Sequence, residues 1–189
     1  MKPRGPLMIE HRLIEKMFGI SQKVVLKIKN DEVIDPPFID TIVDFIRTYA
    51  DRTHHGKEED ILFAKLKTKN LNEKDTTMMN DLINDHRYAR SLVGDLLDAK
   101  NNYISGDKSY LPVIIEKLET LINFYPSHIR KEDREFFPNT ELYFTKEELD
   151  NMLSDFWEFD RKMIHEKYQK VFETLSKKID LIQNPEIFY

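Results

Sequence analysis

The chain has 189 residues, 40% hydrophobic and 33% charged, with 5 glycines, 8 prolines and no cysteine. That length holds one domain with a real core, and so few glycines and prolines favour long helices over a turn-rich sheet or disorder. The 29 basic and 34 acidic residues give a net charge of −5 and are interspersed; no basic face advertises nucleic acid, and the missing cysteine excludes disulfides, thiolate catalysis, Cys-ligated zinc and Cys-bound iron–sulfur clusters.

Five segments with helical periodicity follow in chain order. In the first, from about 6 to 29, Leu7, His11, Ile14, Phe18, Ser21, Val25 and Ile28 step by four and three along one stripe. The DPP at 35–37 starts the second, where Val43, Ile46, Ala50, His54, Glu58 and Ile61 share a face. The third begins near Asp75, with Met79, Leu82, His86, Ala89, Val93 and Leu96 in line. After a break at NNYISGDKSYLP (101–112) the fourth aligns Ile114, Leu118, Leu121, Tyr125, His128, Glu132 and Phe136, kinked at Pro126 and ended by Pro138. The fifth, about 146–178, has an apolar face of Leu149, Met152, Leu153, Phe156, Met163, Ile164, Val171 and Leu175. The expected fold is all-α: an antiparallel four-helix bundle over 1–140, and a C-terminal helical extension, 141–189, packed on the bundle or on a partner. At about 50 Å for its length the fifth helix outruns the bundle, which leaves room for a homodimer. No apolar run nears the roughly 18 residues of a membrane span, and the opening MKPRGPLMIEHRL lacks a secretory pattern, so a cytoplasmic protein is expected.

The chain repeats itself. Displaced by 74 residues, His54, Lys57, Glu58, Glu59, Leu62 and Phe63 land on His128, Lys131, Glu132, Asp133, Phe136 and Phe137. At an offset of 75, Glu10-His11-Arg12 lands on Asp85-His86-Arg87. Each half is thus a helical hairpin with an early lone histidine and a later HxxxE. The repeat selects His54/Glu58 over the equally spaced His55/Glu59, because position 55 corresponds to Ile129.

Residues four apart point the same way from a helix, so four imidazoles and two carboxylates aim into one interior region. Two buried carboxylates require a positive partner. Lys57 and Lys131 precede each Glu by one residue, about 100° round the helix, so a metal suits the set better. Six donors are too many for one structural zinc, and four histidines contradict calcium or magnesium. Imidazole mixed with carboxylate fits two irons bridged by the glutamates, with positions left for a bridging oxygen species. The donors do not separate iron from manganese or a mixed pair.

The stretches IEHRLIE (9–15), YADRTHHGKEEDILF (49–63), INDHRYAR (83–90) and FYPSHIRKEDREFFP (124–138) resemble the hemerythrin-like, or HHE cation-binding, family. The resemblance implies the four-helix bundle fold and makes His11, His54, Glu58, His86, His128 and Glu132 the metal ligands. The cofactor it implies is two iron ions with an oxo or hydroxo bridge. It also implies binding of dioxygen, peroxide or nitric oxide by a sensor, store or scavenger. Activities associated with the family form the alternative: peroxide disproportionation, nitric oxide reduction, or iron donation for iron–sulfur cluster repair. Oxygen-carrying hemerythrins have HxxxH on the third helix and HxxxxD on the fourth; here Arg90 stands at the HxxxH position and the fourth segment has HxxxE. That departure implies one less saturated iron. Around this set, His55 is expected at the bundle edge as a solvated residue or one that orients the ligands, with a metal role the lesser alternative, and Glu59 and Asp133 as surface acids or groups orienting the ligands. His165 is expected as a packed histidine, and Tyr49, Tyr88 and Tyr125 as core residues with bonded hydroxyls.

Overall fold

The computed structural model of the chain describes residues 2–31 and 33–183, and the side chains of 2–30, 33–163 and 167. Every regular element among them is helical: α1 (Arg4–Asp31), α2 (36–66), α3 (Glu73–Ile104), α4 (111–140) and α5 (Lys146–Gln183). The first four form the antiparallel bundle, and α5 is an additional long helix.

Local chemistry sets the ends. Asp35, in extended conformation, precedes two prolines whose fixed φ suits the first turn of α2. Asn72 caps α3 by accepting from the Asp75 N–H at 2.8 Å. Beyond Ile104 the chain reverses at Gly106, whose φ of 113° suits a residue without Cβ. Helix α3 therefore runs into the predicted 101–112 break before it stops. Pro138 does not end the fourth helix as expected. It lies in the first turn of Phe137–Thr140, just past the π-wound Glu132–Phe136, where the winding changes.

The winding of α2 and α4 decides what points inward. Ile46–His55, Glu58–Phe63 and Glu132–Phe136 are π-wound, with i→i+5 bonding. Four residues of α-helix overshoot a full turn by about 40°, and a stretch of wider winding takes that back. As a result Ile46, Ala50, His54, Glu58, Leu62 and Leu66, all four apart, are all buried. His128, Glu132, Phe136 and Thr140 do the same on α4. Ile61, expected on the buried face, is only half-buried, and Leu62 and Phe63 take its place.

A polar layer divides the core in two. On one side pack Ile14, Phe18, Ile46, Ala89, Val93 and Tyr125 with their neighbours. On the other lie Leu7, Leu62, Phe63, Leu82, Phe136 and Phe137, with Met152 and Phe156 from α5. Helix α5 lies along the second half of α2, with Lys65–Asp155 at 2.9 Å and Lys57–Asp160 at 2.7 Å. The expected face of α5 is met at Met152 and Phe156; Ile164, His165, Val171 and Leu175 lie outside the described side chains.

Candidate metal centre

The layer between the two apolar clusters contains His11 from α1, His54, His55 and Glu58 from α2, His86 from α3, and His128 and Glu132 from α4, each at most 1% exposed. The six residues selected by the repeat meet there. His11 Nε2 lies 3.2 Å from Glu132 Oε2, while Glu132 Oε1 lies 3.4 Å from His128 Nε2 and 3.7 Å from His86 Nε2. Glu58 does likewise, with Oε1 3.6 Å from His54 Nε2 and Oε2 3.5 Å from His86 Nε2. Each carboxylate thus presents one oxygen to the His11/His54 side and the other to the His86/His128 side.

The outer nitrogens are all engaged. Nδ1 of His11 donates to Asp133 at 2.7 Å, His54 to Glu10 at 2.8 Å, His86 to Glu59 at 2.8 Å and His128 to Asp85 at 3.2 Å. A carboxylate accepts only, so the Nδ1 proton fixes the tautomer and leaves the Nε2 lone pair for the interior. Each carboxylate has its own cation: Arg12 on Asp133, Lys57 on Glu10, Arg90 on Glu59 and Lys131 on Asp85. The internal repeat thus extends outward, since Glu10 and Asp85 each hold the histidine of their own hairpin's HxxxE. Glu59 and Asp133 each hold the lone histidine of the other hairpin. Each of the four acids thus holds one ring by its outer nitrogen, and Lys57 and Lys131 pair with Glu10 and Asp85 rather than with Glu58 and Glu132.

His55 is not at a solvated edge. It is buried, stacked on His86 with centroids 3.9 Å apart and planes 10° from parallel, and its Nδ1 lies 3.3 Å from Asp51 Oδ1. Consecutive residues stay well apart in angle at either winding; what the wide winding over Ile46–His55 changes is the accumulated register, which swings His55 toward the buried side of Ile46 and Ala50 while His54 stays on it. The repeat, with Ile129 at the matching position, ranks a ligand role for His55 below a place at the bundle edge. The spacing Asp51-x-x-x-His55, a carboxylate one turn from the second imidazole, was the available signal. Arg90, at the position of a further histidine in oxygen carriers, instead bridges Asp51 and Glu59 at the surface. Tyr88 is exposed and Tyr49 half-buried, whereas Tyr125 is buried against Phe18 with no hydrogen bond to its hydroxyl from the protein, contrary to expectation.

Electrostatics frustrate the layer. Burial, with Glu132 facing it, pushes the Glu58 carboxyl well above the usual carboxylate range. Glu132 is equally buried, yet His128, His11 and His86 outweigh that and hold it well below. Burial opposes charge on His11, but Asp133 and Glu132 prevail and raise it to about 9. Burial and His11 depress His54 to about 4. Burial, then His86, His54 and His128, push His55 well below its ordinary value. Buried polar groups are ordinarily paired, but Nε2 of His11, His54, His86 and His128 and all four oxygens of Glu58 and Glu132 have no hydrogen-bond partner in the protein. Eight unpaired donor atoms of imidazole and carboxylate type, with like charges facing, fit cations placed among them. Ligand atoms of His11, His54, Glu58 and Glu132 lie within 4.8 Å of one another, and so do those of His55, His86 and His128.

A cavity of about 560 Å³ reaches this layer from outside, lined by Asp51, His55, Gly56, Glu59, Arg90 and Tyr125 among others. The family model of the hemerythrin HHE cation binding domain matches residues 6–140, the span of α1 to α4. A comparison with curated proteins finds no match.

Proposed function

The chain belongs to the hemerythrin HHE cation-binding family, and on that premise we propose that it is a non-haem di-iron protein that binds dioxygen, peroxide or nitric oxide. Its metal ligands are His11, His54, Glu58, His86, His128 and Glu132. The observation that carries this reading is the division of Glu58 and Glu132, each with one oxygen toward either pair of histidines, as two bridging carboxylates require. Two irons in this donor set supply redox capacity and open positions for a small ligand.

The chain supplies the rest. Carboxylate partners on Nδ1 fix each ring and make Nε2 a better donor. The two apolar clusters exclude bulk water above and below the layer. Burial pushes the Tyr125 phenol above its ordinary pKa, so its buried hydroxyl stays protonated beside the layer. The cavity admits small molecules through a rim that carries both signs of charge.

Purification from iron-replete medium, elemental analysis and an optical spectrum test the reading. Close to two irons per chain, with bands that change on adding dioxygen, peroxide or nitric oxide, is the expected result. One tightly held zinc, or no metal, overturns it. Sustained consumption of peroxide or nitric oxide by the iron-loaded protein would make it an enzyme; a stoichiometric spectral change without turnover supports sensing, storage or scavenging.

A further inference from the structure

We propose that His55 is a seventh ligand of the centre, so that the two metals are held by unequal histidine sets: His11 and His54 on one side, and His55, His86 and His128 on the other. The inference rests on the di-iron reading above.

Three observations carry it. His55 is as buried as the other four histidines, and its ligand atom lies within 4.8 Å of those of His86 and His128. Its outer nitrogen has a carboxylate, Asp51, as each of theirs does, and that carboxylate has a cation, Arg90, at 2.7 Å. A histidine that merely filled the core would need no such chain of partners, and a polar ring among three imidazoles, with little to offset its desolvation, is a costly filler. Third, His54 and His55 end the π-wound stretch Ile46–His55 and are both buried, whereas α4, which has Ile129 at the matching position, is not π-wound before Glu132. The wide turn and the extra imidazole occur together, on one half of the repeat only.

The consequence is asymmetry. Without His55, the duplicated hairpins would give both metals two histidines and a share of two carboxylates. With it, one metal has five protein ligands and the other four, so an added ligand is directed to the metal at His11 and His54. Among the histidines of the layer, His55 lines the 560 Å³ cavity.

The test compares wild type, His55→Ala and His55→Gln, each reconstituted with 57Fe and followed by iron titration and Mössbauer spectroscopy. Wild type is expected to bind two irons and show two distinct iron environments. In both variants one iron should bind about 100-fold more weakly or worse, a ligand's loss costing at least as much as loss of an orienting group. At saturating iron the two environments should converge. Millimolar imidazole, small enough for the cavity, should restore binding and asymmetry to His55→Ala. Glutamine keeps most of the side-chain volume, so a fold lost only in His55→Ala leaves the test standing on His55→Gln. Wild-type affinities and spectra in a folded variant overturn the role of His55 and leave the di-iron reading intact. A wild-type chain that binds fewer than two irons overturns that reading, and this inference with it.

Discussion

Arg90 donates from Nε to Asp51 Oδ1 at 2.7 Å, and its Nη2 reaches Glu59 Oε1 at 2.7 Å, so one guanidinium on α3 secures the carboxylates behind both His55 and His86. Replacing it by alanine should weaken iron binding by roughly 10- to 100-fold while leaving the helical content unchanged. Arg90→Lys should rescue little, because an ammonium lacks the planar fork that reaches two acceptors. Competition with a chelator measures this; unchanged retention in Arg90→Ala would show that the bracket orients nothing.

Lys57 has no exposed side-chain surface and lies between Glu10, the partner of His54, and Asp160 of α5. Lys57→Ala strands Glu10 beside the centre and should cost about 3–5 kcal/mol, the usual effect of breaking a buried pair from one side. Asp160→Ala should cost far less, since that side chain is 42% exposed and water replaces its contact. Urea midpoints of the single and double variants separate the two arms, and a larger loss from Asp160→Ala than from Lys57→Ala would contradict this ranking.

Gly56 of α2 lies against Phe159 of α5, and an added Cβ there would lie 2.7 Å from Phe159 Cζ. Gly56→Ala should therefore displace the Phe159 ring and destabilise the docking of α5 by about 1–3 kcal/mol, despite alanine's better helix propensity. Phe159→Leu in the same chain should recover most of the loss. Thermal unfolding of the three chains checks it; a stabilised Gly56→Ala would mean that the ring moves without cost.

Burial works against charge on Glu59, but His86 and Arg90 outweigh it and hold the carboxyl at about 2 against an ordinary 4.5. A depressed folded pKa gives stability that is complete above the unfolded value and lost as pH falls through the folded one. Glu59→Gln should be less stable than wild type by on the order of 1–2 kcal/mol at pH 7, after allowance for solvent screening. The gap should close between about pH 4.5 and pH 2. Urea titrations of metal-free protein at pH 7, 4 and 2.5 measure it, and a gap that does not change with pH would place the effect in packing rather than charge.

The fold class and the family were legible in the chain because they depend on local and repeated signals. Stripes such as Leu82, His86, Ala89 and Val93 mark one face of an ordinary α-helix, the winding α3 keeps, and the copy of HxxxE 74 residues on makes His54 and His128 stand out from single occurrences. The chain leaves Glu59 and Asp133 between surface acids and groups orienting the ligands, and does not name His86 and His11 as their partners, since those contacts cross from one hairpin to the other.

The residue types and their duplication also limited the chemistry: no thiols, and imidazoles with carboxylates on inward stripes. His55 lay beyond that reach because the repeat offers it no counterpart, Ile129 standing at the matching position, and only the folded chain, π-wound over Ile46–His55, turns it into the layer. Arg90 depended on tertiary structure in the same way. Its place in the chain marks an absent histidine, but only the approach of α3 to α2 brings its guanidinium to Asp51 and Glu59 and makes it a support for two histidines instead.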